Sequence, residues 1–573
     1  MRKRAATAGA ASAPPDSTEL ALRALPWLAA AVAAAPLVLS GFPRGHDFSF
    51  ELLRVAEYRS ALAAGQLPPW WAENLYGGYG SPVFLFYAPL FSAAASLTSA
   101  LCGSIPTGSA LLLAVITFAS LPFIRVFLGE LLASAGLRDP AAARLGTVFW
   151  LLDPYLLTDK LVRNADAEYL ALCLAPIALA GVARAAREPR TSFALVSGGV
   201  ALVVLAHNLT ALVVVALALG LAMVLYARGP RSAWTATLSG VAAGLALSAF
   251  FWLPALVLTP EVRTEELVRG KFDYRRQFQA LDSLFGYARF FAVGWATPAV
   301  LAAGALAAIR LPGRRALVAS LLVLSLWLAF LETGASEAIW AAVPGLPLFQ
   351  FPWRMMGPLA LAASALVTLV AASALAGRSR ALRAFAEAGV AGLLLLNALP
   401  RLLQVQALTP EESARLQSSF APEVVRQSGA SVTVGDEYLP RAAEPELWKR
   451  ERPIDGPVAA VASGAVRWDT LVDRGSHVEL ATHADGPARL WLARFAFPGW
   501  HVELDGKPVQ ATASPRGALQ IDVPAGDARV DARLEPPFAR RAALAFSGLA
   551  LAAWAALLFA TRRRAAGSVA SQR

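Results

Sequence analysis

Along the chain, apolar residues gather in runs of about membrane-spanning length, separated by short polar stretches. Crossing a bilayer's hydrocarbon core as a helix takes about 20 apolar residues. Thirteen such runs can be read: 22–40, 83–102, 107–128, 142–157, 168–183, 193–206, 209–226, 233–257, 292–309, 316–331, 354–376, 384–404 and 542–560. Between 405 and 540 the pattern changes to short alternations of Val or Leu with polar residues, broken by Pro, Gly and turn dipeptides. Val478–Thr482, Leu490–Arg494, Trp500–Leu504, Ile521–Val523 and Val530–Leu534 read as strands, with Asp505-Gly506 as a hairpin turn. The pattern predicts a mainly α polytopic membrane protein of about 12 transmembrane helices plus one interfacial helix, with an antiparallel β-sandwich near its C-terminus.

Composition agrees: the 573 residues are 57% hydrophobic and 16% charged, with a mean hydropathy of +0.52. The formal charge of +11 is unevenly placed. Residues 405–540 hold 15 Lys and Arg against 19 Asp and Glu, leaving 36 against 21 elsewhere. Those bases cluster beside apolar runs, at Arg2-Lys3-Arg4, Arg184/Arg187/Arg190, Arg228/Arg231, Arg310/Arg314/Arg315, Arg378/Arg380/Arg383 and Arg562-Arg563-Arg564. This is how topology-setting charge is distributed, so no nucleic-acid partner is expected. The positive-inside rule puts both termini in the cytoplasm, which requires an even number of crossings. The run 83–102, with Tyr87-Ala88-Pro89 inside it, is therefore read as interfacial or re-entrant. Domains follow: a disordered cytoplasmic tail (1–21), a transmembrane domain (22–404), an extracytoplasmic β-rich domain (405–540), and a final helix with a basic tail (541–573). Cys102 and Cys173 both lie in apolar runs, which argues against a disulfide or a cysteine metal site.

The outward stretches hold the candidate chemistry. The first begins Gly45-His46-Asp47 and runs into an amphipathic helix carrying Glu51, with Arg54, Glu57 and Arg59 on its polar side. Asp47 is either a general base or metal ligand, or simply that helix's cap. The second, Asp159 to Glu168, offers Arg163 and, as a second carboxylate, Asp166 or Glu168; the alternative is a solvated interfacial loop. The third holds Arg263, Arg269, Lys271, Tyr274 and Arg275, cations that can grip a phosphate or meet lipid headgroups. The fourth ends in Gln350-Phe351-Pro352-Trp353-Arg354, and His207-Asn208 forms an outer turn.

In their order these motifs resemble a bacterial family of multi-spanning membrane proteins labelled as 6-pyruvoyl-tetrahydropterin synthase-related. The resemblance is carried by Gly45-His46-Asp47, Ala64 to Trp70, Gly78-Tyr79-Gly80-Ser81-Pro82, Asp153-Pro154-Tyr155, Arg163 with Glu168, and His207-Asn208-Leu209. Phe272 to Arg275 and Gln350 to Arg354 complete it. Phe497-Pro498-Gly499-Trp500, Asp505-Gly506-Lys507 and Pro524-Ala525-Gly526 resemble the tail of YfhO-type membrane proteins. Both groups look like GT-C class glycosyltransferases. That resemblance implies a GT-C-like fold in the bacterial inner membrane and a polyprenyl-phosphate sugar donor. It also implies an extracytoplasmic acceptor that is a glycan, lipid or protein. Asp47 would match the first-loop acid, with His46, Glu51, Arg163, His207, Asn208 and the outer cations around the substrates; a divalent metal is left open. The competing readings are a lipid-linked saccharide transporter and a non-catalytic glycan-binding scaffold.

Overall fold

A computed structural model describes residues 17–280, 294–310, 315–433, 435–444 and 458–570, with backbone alone for 560–570. The basic residues 2–4 and Arg314, and the side chains of Arg562 to Arg564, lie outside this description. The first helix begins at Ser17, so residues 17–21, read above as tail, form its opening turns.

Among the described residues, eight helices are long and apolar enough to cross a membrane: Ser17–Leu39, Ile105–Ser134, Asp166–Arg184, Pro189–Ala206, Asn208–Tyr226, Pro352–Ala374, Arg380–Leu403 and Phe538–Phe559. A ninth arises if Arg231–Leu247 and Ala249–Glu261 count as one span bent by 69°. Pro89–Cys102, Ala296–Arg310 and Arg315–Leu331 are shorter apolar helices. Two of the thirteen apolar runs are broken for local reasons. The run 83–102 splits into Val83–Phe86 and Pro89–Cys102, because Tyr87 and Ala88 are extended ahead of Pro89. The run 142–157 stops at Leu151: Asp153 precedes Pro154, and its Oδ1 accepts from Tyr155 and Leu156 backbone N–H to cap a new short helix.

The outermost helices bare large apolar side chains, among them Phe385, Leu393, Leu396 and Leu403 on one and Phe546, Leu549, Leu551 and Phe559 on the other. So broad an apolar surface suits lipid and not water. The chain is a membrane protein.

Residues 405–444 begin with two helices, Pro410–Ser419 and Pro422–Ser428, and then run as a loop to Glu444. Nine strands follow: β1 (Ala459–Ser463), β2 (Val466–Arg474), β3 (His477–Ala484), β4 (Ala488–Phe495), β5 (Trp500–Leu504), β6 (Lys507–Val509), β7 (Thr512–Ala513), β8 (Ala518–Val523) and β9 (Gly526–Leu534). They form two antiparallel sheets, ordered β1-β4-β8-β7 and β2-β3-β9-β5-β6, with an apolar core between them that includes Val478, Leu480, Leu490, Leu492, Ile521 and Val530. All five predicted strands are present. The β5–β6 turn has φ 49° at Asp505 and 74° at Gly506, the left-handed pair that a two-residue hairpin loop requires.

A separate aromatic cluster fastens the first loop to the sandwich. Trp71 packs 5.8 Å from Phe497, while Tyr76 and Tyr79 lie 5.6 and 5.1 Å from Phe495. The Phe495 amide donates to the Tyr79 carbonyl at 2.9 Å.

Candidate active site

The site begins where the chain between two helices is irregular. Asp159–Arg163 forms a wide π-helical turn, and Asn164 then takes a left-handed conformation (φ 57°). That reversal turns the carbonyls of Val162 and Arg163 outward, and the first loop docks on them. His46 N–H donates to Val162 at 2.9 Å, Asp47 N–H to Arg163 at 3.0 Å, and Gly45 N–H to the Asn164 side chain at 2.8 Å. A Cβ at Gly45 would lie 2.2 Å from Asn164 Oδ1 and 2.3 Å from the Val162 carbonyl oxygen, so only glycine allows this approach. The two outer loops, read from sequence as facing one another, are thus hydrogen-bonded together.

Asp47 occupies the N-cap position of Phe48–Ala63, yet its side chain makes no capping hydrogen bond. Its carboxylate is left for other chemistry, and it lines a cavity of about 400 Å³. Glu51, Arg54, Tyr87, His207, Asn208, Lys271, Gln350, Phe351, Arg354, Glu437 and Tyr438 line the same cavity. The helix 48–63 reads as amphipathic from its sequence, but Arg54 and Glu57 on its polar side are 3% and 2% exposed. Residues 74 and 432 cover that side. Arg54 donates to Glu51 at 2.6 Å and to the Val432 carbonyl at 3.1 Å, and its guanidinium sits 3.7 Å over the Tyr87 ring. Burial pushes the Glu51 carboxyl up from its ordinary range, opposed by the adjacent Arg54.

The second outer stretch is no solvated loop: Asp159, Lys160, Arg163, Asp166 and Glu168 are all buried. Lys160 donates to Thr117 Oγ1 at 3.0 Å and to the Tyr169 hydroxyl at 3.2 Å. Glu168 accepts from the Tyr155 hydroxyl at 2.7 Å and pairs with Arg163 at 3.4 Å and Arg354 at 3.2 Å. Arg163 also pairs with Asp159. Of the two candidates for a second carboxylate, Glu168 is therefore spent on holding arginines. Asp166 is not: both its oxygens are buried without a hydrogen-bond partner, and the charged groups acting on it include Glu51, Asp159, Arg54 and Asp47. Asp47 and Asp166 have the donor chemistry to hold a hard divalent cation, which takes oxygen ligands.

Arg354 reaches the cavity from the start of the Pro352–Ala374 span, its Nη1 donating to the Phe349 carbonyl at 2.9 Å. His207 caps Asn208–Tyr226: its Nδ1 accepts from Thr210 N–H at 3.3 Å and shares a 2.8 Å hydrogen bond with Thr210 Oγ1. Lys271 lines the cavity beside Phe272, with no carboxylate partner among the described residues.

Four expected substrate contacts lie elsewhere. Arg263 donates to the Ala443 carbonyl, and Arg269 pairs with Glu266 at 3.2 Å. Arg275 pairs with Glu337 at 3.4 Å, and Tyr274 is stacked on Trp340 at 5.5 Å. A backbone carbonyl, nearby acids and an aromatic ring claim these side chains. His46 is exposed beside the cavity and does not line it. Sequence reading did not name Tyr87, Glu437 or Tyr438 as site residues and placed Arg54 only on the polar side of its helix; the one signal for Arg54 was its spacing of three from Glu51, the residue type and distance of a helical ion pair.

No protein-family model and no curated protein matches the chain, so the family labels rest on the motifs alone. Among solved structures, it is similar to the arabinofuranosyltransferase AftD from Mycobacteria, at 21% identity over 66% of this chain and a TM-score of 0.42. The chain spans 27% of that protein. The apo oligosaccharyltransferase of Archaeoglobus fulgidus matches at 13% identity, over 74% of this chain and 61% of that one, with a TM-score of 0.43. ArnT from Cupriavidus metallidurans, bound to undecaprenyl phosphate, matches at 13% identity over 72% and 78%, with a TM-score of 0.37.

Proposed function

We propose that this chain is a membrane glycosyltransferase that moves a sugar from a polyprenyl-phosphate donor to an acceptor hydroxyl on the extracytoplasmic side of a bacterial inner membrane. One observation carries the reading: an uncommitted carboxylate, Asp47, shares a cavity with the uncommitted cation Lys271 and with Arg354. Three spans bring their cavity ends together, at Asp166, Asn208 and Arg354, while their opposite ends run to Arg184, Arg228 and Arg378. Under the positive-inside rule this charge distribution supports a cavity and sandwich on the outside, with both termini inside.

Asp47 accepts the proton of the acceptor hydroxyl as its oxygen attacks the anomeric carbon. The bond from that carbon to the donor phosphate oxygen breaks, and the phosphate leaves with the electron pair. Lys271 and Arg354 stabilise the charge that grows on it, which is where fixed cations accelerate reaction most. Glu168 is a positioning residue that aims Arg354, with Arg163 and Tyr155 behind it. Asp166, whose oxygens have no hydrogen-bond partner among the described residues, would be the carboxylate to hold a divalent cation, which when bound supplies further positive charge for the reaction. The apolar cavity between the spans, lined by Phe127, Leu179, Leu217, Leu221, Trp327 and Leu361, accommodates a lipid chain.

The test is sugar transfer by the full-length protein in nanodiscs, with polyprenyl-phosphate sugars as donors. Asp47→Asn should lower kcat by roughly 10²-fold or more and leave donor binding intact. Lys271→Ala should weaken binding of undecaprenyl phosphate by about tenfold, one charge-assisted hydrogen bond's worth. Full transfer activity in Asp47→Asn sinks the catalytic assignment. Movement of lipid-linked saccharide across the bilayer without transfer would instead establish a transporter.

A further inference from the structure

The cavity lining has two adjoining parts whose chemistry differs, with Phe272 of the first against the Gly435 turn of the second. On the first, Lys271 lies over Phe272, Phe272 meets Phe351 at 6.1 Å, and Arg354 sits over Phe351 at 5.1 Å. This is the cationic side, assigned above to the leaving phosphate. On the second, Phe86 stacks on Tyr438 at 5.1 Å and 6°, and Tyr87 meets Tyr438 edge-on at 5.7 Å. Arg54, the cation over Tyr87, is paired with Glu51. Glu437 stands beside Tyr438, its Oε2 accepting from Gly435 N–H at 3.0 Å.

We propose that the second part is the acceptor subsite, and that the acceptor is a neutral saccharide whose ring stacks on Tyr438 with a hydroxyl directed at Asp47. This deepens the transferase reading and rests on it. Phe86 stacks on Tyr438, and the half-buried Tyr438 ring lines the cavity. Flat rings pack against the C–H faces of a sugar, and the flanking carboxylate and phenol groups of Glu437, Tyr87 and Tyr438 can bond its hydroxyls. The cations nearest Tyr438 are Arg54, paired with Glu51, and Arg354, paired with Glu168 and assigned to the leaving phosphate, so neither is left for an acceptor phosphate. Nor does the cavity offer a sheet edge to an extended peptide, because none of the lining residues belongs to a strand. The platform is held firmly: Arg54 bonds the Val432 carbonyl, and Arg263 N–H donates to the Leu439 carbonyl at 3.2 Å. In the transfer, the saccharide O–H loses its proton to Asp47, and its oxygen forms the new bond to the anomeric carbon as the phosphate departs.

The experiment uses the full chain in nanodiscs and two probes. One is an array of soluble neutral oligosaccharides of hexoses and pentoses; the other is undecaprenyl phosphate. At least one oligosaccharide should bind. Tyr438→Ala should weaken it by about tenfold or more, Tyr438→Phe should largely retain it, and Glu437→Gln should weaken it by about tenfold as well. All three variants should bind undecaprenyl phosphate as the unmodified protein does, which also shows that they fold. If that lipid binds but no oligosaccharide does, or a peptide library binds in its place, the saccharide inference is overturned while the transferase reading stands. Unchanged oligosaccharide binding by Tyr438→Ala overturns it too. If the lipid itself fails to bind, the underlying reading fails.

Discussion

At the scale of single residues, Gly45 and Glu57 show how little room the site leaves. The Gly45 backbone is pressed against Asn164 and Val162, so Gly45→Ala must push the first loop away from the turn that positions Asp47. Transfer activity should fall by tenfold or more, since ångström-scale misplacement of reacting groups costs roughly that or worse. An activity assay beside a thermal melt would separate this from global unfolding. Glu57 lies outside the cavity, under Asn74, whose backbone and side-chain N–H groups both donate to it. Burial pushes its carboxyl up to about 7, from an ordinary value of 4.5. The folded state therefore keeps a proton that the unfolded chain has already released. Stability should fall as pH rises from about 4.5 to about 7, by on the order of 3 kcal/mol, and level off above. Melting the Glu57→Gln variant across that range should show the slope removed; a slope equal to that of the unmodified protein would refute the assignment.

At the scale of elements, the helix Phe48–Ala63 is the piece on which the site is built. Its start carries Asp47, its first two turns carry the Glu51–Arg54 pair, and that pair ties it to Tyr87 and Val432. Removing one partner of a buried pair leaves an uncompensated charge. Arg54→Met should therefore cost about 3–5 kcal/mol, while the double change with Glu51→Gln should recover much of it. A double-mutant cycle on thermal stability measures this directly. The sequence announced this helix by its apolar spacing, but not that its charged side would be covered. Periodicity reports one buried face, and a second appears only when distant segments fold over it.

At the scale of the whole molecule, the sandwich and the membrane helices meet through aromatic rings. Phe495 packs on Tyr76 and Tyr79, and Phe497 on Trp71. Phe495→Ala should destabilise the protein by about 3–5 kcal/mol. Because the lost contacts join the two parts, hydrogen exchange should quicken in both residues 76–81 and β4. Exchange confined to the sandwich would show that the interface carries no coupling.

Several features followed from sequence alone because each is written within a few consecutive residues. Spans show as apolar runs, strands as alternation, and the β5–β6 turn as Asp505-Gly506. The interruption at 83–102 came from charge parity and the Pro89 break, and the structure indeed divides that run. The docking of the first two outer loops depends on a left-handed Asn164 and on the Val162 and Arg163 carbonyls it frees, which no sequence pattern spells out. Tertiary structure alone decided which carboxylates stay uncommitted. Asp166 and Glu168 are two residues apart and chemically alike, yet one is spent on Arg163 and Arg354 and the other has no hydrogen-bond partner. It likewise drew Arg275 to Glu337, and carried Glu437 and Tyr438 across the chain to face Asp47. Ion pairing and burial depend on neighbours in space, and those are fixed only when the helices pack.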